Sequence, residues 1–474
     1  MLDITVIREK PEWVKEQLGK LFDSDAVSRI DQIVELDRQR RTLLTEAEAV
    51  QANRNKLNKN VGRLRGDKKL DETARAQLAL QAVTAISAGD YEAAAAILEG
   101  NGGDPVNEDT AGALDKLTDA LRSMGDKVNG MNAQVGEIET ALQEHMLWLP
   151  NIPHESVPVA DSDEHNIAHP MQGTKREFEF EPKAHWDLGP ALDIIDFERG
   201  VKMAGSRGYV LKGWGARLQR ALIQLFLDKA REKGFEELYL PYFVKEEMLY
   251  GSAQFPKFRD VVYFDPDADV YMLPTAEVAI TNMFRDEILD ESQLPLYYVG
   301  HTPCFRKEKT SAGRDVRGIK RVHQFEKVEM YKFTTPETSY AELESLVEAA
   351  CDVCRALELP FRRLEIVTGD LGFSASKKYD VEVWSAGCQE WLEVSSCSNT
   401  EAFQARRANI KYRPAESKKA QFVHTLNGSG LATPRVLIAV LENYQQADGS
   451  VEIPKALCPY LDGAEFIPAV ALAK

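Results

Sequence analysis

The chain is poor in the features that mark secreted, membrane-embedded and glycine-loop nucleotide-binding proteins. Six cysteines are scattered over 474 residues without the spacing of a disulfide framework. Cys351 and Cys354 form a lone CxxC inside a helix-like run, so buried helical thiols are expected there rather than a zinc site. No apolar run approaches the roughly 20 residues that span a bilayer. The N-terminal MLDITVIREKPEW has early acidic residues and no apolar signal core, so a cytoplasmic chain is expected. Neither GxGxxG nor GxxxxGK[ST] occurs. Net positive charge is also absent: at −17 the chain is not suited to coat nucleic acid with its whole surface.

What is present is ordinary in bulk and unusual in pattern. A hydrophobic content of 44% and a charged content of 28% fit a soluble globular protein, and the length allows more than one domain. Between residues 30 and 64, apolar side chains recur at threes, fours and sevens from Ile30 to Leu64, interrupted by Arg40 and Arg54. From Leu114 to Leu142 the alternation of three and four is unbroken, a heptad seam. The stretches Leu36 to Leu64 and Leu114 to Leu142 match in length, which predicts an antiparallel helical hairpin about 44 Å long. Its first helix is basic, with ten Lys/Arg against three acidic residues between Arg38 and Lys69, and that is where phosphate contacts are expected. The connector, 66–113, is Ala-rich and helix-prone before NGGDPVNEDTAG breaks it; it reads as a small helical subdomain or a partly mobile insertion.

After Trp148, the proline-rich stretch 150–178 reads as a linker. Beyond it, helices are predicted at 216–233, 337–357 and 434–446. Strands are predicted at 237–240, 270–273, 362–367, 380–384 and 390–395 and on both sides of the loop described next. Strands follow one another rather than alternating with helices, so the fold class is α+β: a helical coiled-coil arm, then an antiparallel sheet flanked by helices.

The most informative segment runs from His301 to Phe333, HTPCFRKEKTSAGRDVRGIKRVHQFEKVEMYKF. It reads as strand, basic glycine-containing loop, strand. Arg306 and Glu308, two apart on an extended segment, share a face, and Phe325 on the returning strand supplies a flat plate beside them. That trio suits a nucleotide: phosphate on Arg306, adenine edge near Glu308, purine face on Phe325. The RxE, SAGRDxRG and RVHQFEKVE elements resemble the second signature of class II aminoacyl-tRNA synthetases, in the form typical of seryl-tRNA synthetases.

The resemblance covers nearly the whole chain. Residues 234–258 resemble the first signature, whose proline, here Pro241, implies a homodimer contact; Gly251-Ser252-Ala253 departs from the usual Gly-Thr-Gly. The Thr275-Ala276-Glu277 loop resembles the family's serine-binding TAE, and Glu329 matches a second serine-binding position. Glu393-Val394-Ser395-Ser396 resembles the EISS segment, with Glu393 and Ser396 implied for Mg²⁺ and all four for ATP, alongside Arg306, Lys307 and Glu308. Thr425 to Arg435 resembles the third signature: Asn427 and Ser429 are implied near serine, and Arg435, after Pro434 in place of a common glycine, on adenine and the γ-phosphate.

The family thus implies ATP-dependent attachment of L-serine to tRNA(Ser), with tRNA(Sec) as a second acceptor where a cell has one. Arg306 and Arg435 would act catalytically by neutralising charge. The implied organisation is a tRNA-binding N-terminal domain at 1–149, with an inserted tip at 66–113, and a catalytic domain at 179–474. Three rivals fit less well, since the chain keeps both arm helices, the charged residues Arg306, Glu308, Glu393 and Arg435, and motifs far beyond the arm. A relative that activates an amino acid for a carrier protein would be expected to lack the arm. A non-catalytic binding module would be expected to have lost Arg306, Glu308, Glu393 or Arg435. A coiled-coil structural protein would explain only the first 145 residues or so.

Overall fold

The structure, a computed structural model, describes residues 1–102, 110–308 and 317–470. The loop elements from Ser311 to Val316, and 103–109 of the connector, lie outside the described residues. The chain divides into two compact units, Arg29–Met146 and the body formed by Met1–Ser28 with Leu147–Lys474.

In the first unit, two long helices carry the heptad seams, α1 (Ser24–Gly66) and α2 (Ala113–Leu147). Ile30, Ile33, Val50, Leu57 and Val61 of one, and Leu117, Leu121, Met124, Val128 and Val135 of the other, are buried. The arginines that interrupt the first seam connect the helices. The Arg40 guanidinium meets the Glu139 carboxylate at 2.7 Å. Arg54 donates to the Leu121 carbonyl at 3.1 Å and lies over Gly125, where a Cβ would approach its Cζ to 2.9 Å. The connector is folded into this unit: helices Glu72–Ser87 and Tyr91–Leu98 bury Leu80, Ile86 and Leu98 in one cluster with Leu57, Leu64, Leu117 and Leu121.

The body is built on an eight-stranded sheet. Its strands in chain order are β1 (Ile167–Ala168), β2 (Glu236–Leu238), β3 (Leu296–Phe305), β4 (Gln324–Thr334), β5 (Phe361–Glu365), β6 (Lys377–Ser385), β7 (Glu390–Asn399) and β8 (His424–Ala432). The order across the sheet is β1-β5-β6-β7-β8-β4-β3-β2, antiparallel except for the β2–β3 edge pair. Three helices cover one face: α3 (Trp214–Glu232), α4 (Ser339–Ala356) and α5 (Thr433–Tyr444). Leu222, Leu346 and Leu437 from these helices share one core with Val328, Met330, Val381 and Val383 of the strands. With that face closed, alternation sends the intervening residues to the opposite face.

Two findings differ from the sequence reading. β8 is a central strand, where the sequence predicted none and carried only the third-signature resemblance; Gly428 faces α4, where a Cβ would come within 3.0 Å of Leu346. The stretch read as a linker is fastened to the body: Asn151 donates to the Ser374 and Thr400 carbonyls, and Ile167–Ala168 extends the sheet.

Candidate functional site

A cavity of about 300 Å³ opens on the sheet face away from the helices, and β4, β7 and β8 floor it. On β4, period-two alternation brings Phe325, Lys327 and Glu329 into it. On β8, Asn427 and Ser429 do the same, Ser429 lying opposite Glu329.

Two bulges complete the floor. Ser395 pairs with Val381 and Glu393 with Glu382, which leaves Val394 as the extra residue of β7. Glu393 and Ser396, three apart, would face opposite ways on a regular strand; across the bulge both line the cavity. Gly430 is the extra residue of β8 between Ser429, opposite Glu329, and Leu431, opposite Val328, and it brings Ala432 to the same face.

One end of the cavity is acidic and buried. The Thr275 hydroxyl donates to Glu329 Oε2 at 3.0 Å, and Lys327 forms an ion pair with the same carboxylate. Gln404 Nε2 donates to Glu277 Oε1 at 2.6 Å. Burial, reinforced by the Glu329 charge, pushes the Glu277 carboxyl up to about 7. Glu329 Oε1 and Asn427 Oδ1 are buried acceptors with no hydrogen-bond donor among the described residues. Unmet acceptors in a polar cavity are costly, and a donor-rich guest removes that cost.

The other end is cationic. Arg306 is held by a 3.1 Å bond from its Nε to the Pro274 carbonyl, and its guanidinium carbon lies 5.2 Å from the Phe325 ring centre. Arg435, in the first turn of α5, donates from Nη1 to the Glu393 carbonyl at 2.6 Å and stands 3.6 Å from its carboxylate. Glu393, Ser396 and, opposite Ser396 on β6, Asp380 form a set of hard oxygens. Asp380 is buried, its Oδ1 lacks a partner among the described residues, and burial pushes its carboxyl up. The donor set is of the kind Mg²⁺ takes.

Of the residues singled out from the sequence, Thr275, Glu277, Arg306, Glu308, Phe325, Glu329, Glu393, Val394, Ser396, Asn427, Ser429 and Arg435 line this one cavity. Three do not. Ala276 is fully buried; Lys307 points its ammonium at Tyr263, 5.5 Å from the ring centre; Ser395 lies beneath, donating to the Ser429 carbonyl at 2.6 Å. Gln254, Lys327 and the wall Ile319, Lys320, Arg321 and Val322 also line it without having been singled out. For Lys327 the signal was available, since it alternates with Phe325 and Glu329. Gln254, far away in sequence, carries no such signal.

Residues 261–444 match the class II core domain of the tRNA synthetases for G, H, P, S and T, and residues 1–99 match the seryl-tRNA synthetase N-terminal domain. The serine–tRNA ligase of Roseiflexus sp. strain RS-1 is 50% identical over 467 residues, 98% of this chain and 99% of that one. That of Chloroflexus aurantiacus strain J-10-fl is 48% identical, over 98% of this chain and all of the other. Among solved structures, the seryl-tRNA synthetase of Pyrococcus horikoshii complexed with ATP superposes with a TM-score of 0.85 at 36% identity, covering 99% of this chain and 100% of that one. The cytoplasmic serine–tRNA ligase of Naegleria fowleri in complex with AMP gives 0.78 at 28%, covering 99% of both.

Proposed function

The chain belongs to the seryl-tRNA synthetases, class II enzymes that join serine to tRNA at the expense of ATP, and from that premise we propose how its residues divide the work. The observation that carries the assignment is the pair of undonated acceptors, Glu329 Oε1 and Asn427 Oδ1, in a cavity whose other end holds Arg306 and Arg435. A serine ammonium and hydroxyl supply the missing donors; a triphosphate supplies the anion.

Serine enters ammonium first, between Glu277, Glu329 and the Thr275 hydroxyl, with its own hydroxyl toward Asn427 and Ser429. Alanine in the same place leaves a buried acceptor unpaired, which is the basis for rejecting it. ATP lies with adenine on Phe325 and its edge at Glu308, the α-phosphate at Arg306 and the γ-phosphate at Arg435. The serine carboxylate attacks the α-phosphorus in line, giving seryl-adenylate and pyrophosphate. No side chain acts as nucleophile: orientation and the two arginines lower the barrier. Glu393 and Ser396 would hold Mg²⁺, which when bound supplies further positive charge to the phosphates. Ala276 and Lys307 contribute through backbone and local packing, and Ser395 by fixing the Ser429 carbonyl.

The acyl group then passes to the terminal ribose of tRNA(Ser) or, in a cell that has it, tRNA(Sec). The basic face of α1 is assigned to the tRNA backbone, and the exposed aromatics beside Pro241 to a second copy of the chain, in the cytoplasm. ATP–pyrophosphate exchange with serine, threonine, alanine and glycine in turn tests the reading. Exchange with serine alone is expected. Exchange driven by another of these amino acids, or none from folded protein with Mg²⁺, would overturn it.

A further inference from the structure

His185 opens the short helix His185–Ala191 and is fully buried. The Ile319 backbone N–H donates to its Nε2 at 3.1 Å, so the ring proton sits on Nδ1, which lies 2.8 Å from Glu442 Oε1. Glu442 is on α5, the helix whose first turn bears Arg435. Its Oε1 also accepts the His185 N–H at 2.9 Å, and its Oε2 accepts the Ser385 hydroxyl and the N–H groups of Gly387 and Cys388. These bonds outweigh burial and hold its carboxyl below the ordinary value. Ligand atoms of His185, Cys388 and Glu442 lie within 4.8 Å of one another. The cluster is nonetheless closed to a cation, because both ring nitrogens are already engaged.

The following residues hold the same limb of chain from outside. Arg317 and Lys320 lie over the Trp186 ring at 4.8 and 5.4 Å, and Arg317 stands 3.7 Å from Asp187. Gly318 has φ +73° and passes so close that an added Cβ would lie 1.9 Å from His185 Nε2. The limb so held, Ile319 to Val322, is one wall of the cavity, next to the Phe325 plate.

We propose that His185 is a positioning residue for ATP, fixing the Ile319–Val322 wall to the helix that carries Arg435 so that the nucleotide meets a preformed slot. The proposal rests on the assignment of this cavity to ATP, and it is specific to ATP, because the serine end (Thr275, Glu277 and Glu329) takes nothing from this network. Asparagine at 185 reaches about as far as Nδ1 and so keeps the Glu442 bond while releasing Ile319; glutamine reaches Nε2 and can still accept the Ile319 N–H. In pyrophosphate exchange, His185→Asn should raise KM for ATP about ten-fold with the KM for serine unmoved. His185→Gln should recover most of that loss. Trp186→Leu, which leaves the Glu442 bonds alone, should raise KM for ATP about three-fold and serves where the Asn variant does not fold. Equal rises in both substrates' KM, a loss in the Gln variant as large as in the Asn variant, or an unmoved ATP KM in Trp186→Leu overturns the proposal. Failure of the parent enzyme to exchange would instead overturn the site assignment itself.

Discussion

At the scale of single residues, Glu277 is the group through which the proposed serine site can be tested. Its carboxyl is raised to about 7 by burial and by Glu329, so below about pH 7 the empty enzyme mostly carries a proton there that a serine ammonium must displace. The KM for serine in pyrophosphate exchange is therefore expected to fall as pH rises through about 7, and Glu277→Gln should flatten that profile while weakening serine binding. Stability runs the other way. A carboxyl with a raised folded value stabilises the empty protein below about 4.5, and that contribution is lost as pH climbs toward 7. Glu277→Gln should thus melt level with the parent at pH 4.5 and above it, by about 2 °C or more, at pH 8. A variant no more stable than its parent at pH 8 would show that Glu277 is not strained by its burial. The sequence made the identity of this Glu legible through the TAE loop. Its raised carboxyl was not legible, because the charge that faces it, Glu329, and its hydrogen-bond donor, Gln404, lie far away along the chain.

At the scale of elements, the seams and the outer strands followed their periodicity, and the departures lie where the chain breaks period to make the site. Glu393 and Ser396 cannot share a face by alternation; the Val394 bulge that lets them do so leaves no mark on a single sequence. β8 was illegible for a related reason. Its glycines are poor strand formers, yet Gly428 leaves room for Leu346 of α4 and Gly430 is the bulge residue against Val328, while Asn427 and Ser429 line the cavity from the other face. That account predicts that Gly428→Val, whose side chain would run into Cys397 and Leu346, costs about 1–3 kcal/mol in urea unfolding. Unchanged unfolding would mean that α4 does not pack so tightly on β8.

At the scale of the molecule, the body leaves Tyr239 at 90% and Phe243 at 55% exposure on either side of Pro241. Aromatic side chains so placed are expected to be covered by a second copy. Sedimentation should give about twice the 53.1 kDa of one chain, and Tyr239→Asp with Phe243→Asp should shift it toward the monomer. A parent protein that sediments as a monomer would remove the dimer from the proposed function.

The insertion at 66–113 was read from composition as helix-prone, and composition could not say whether it was attached to anything. It is attached: Asn60, buried on α1, donates to the Ala95 carbonyl at 3.3 Å and to Glu99 at 3.1 Å, and Leu57, Leu64, Leu117 and Leu121 share a core with its two helices. Replacing 67–112 by a short turn should therefore uncover apolar side chains of α1 and α2 and loosen the Arg29–Met146 unit. Serine activation should not notice. Every residue lining the cavity lies between Gln254 and Arg435, in the other compact unit, so exchange is expected within about two-fold of the parent. Charging of tRNA(Ser), which the basic face of α1 is proposed to support, should fall. If a folded deletion protein lost exchange, activation would depend on more than the body; if it kept full charging, the insertion would serve neither step.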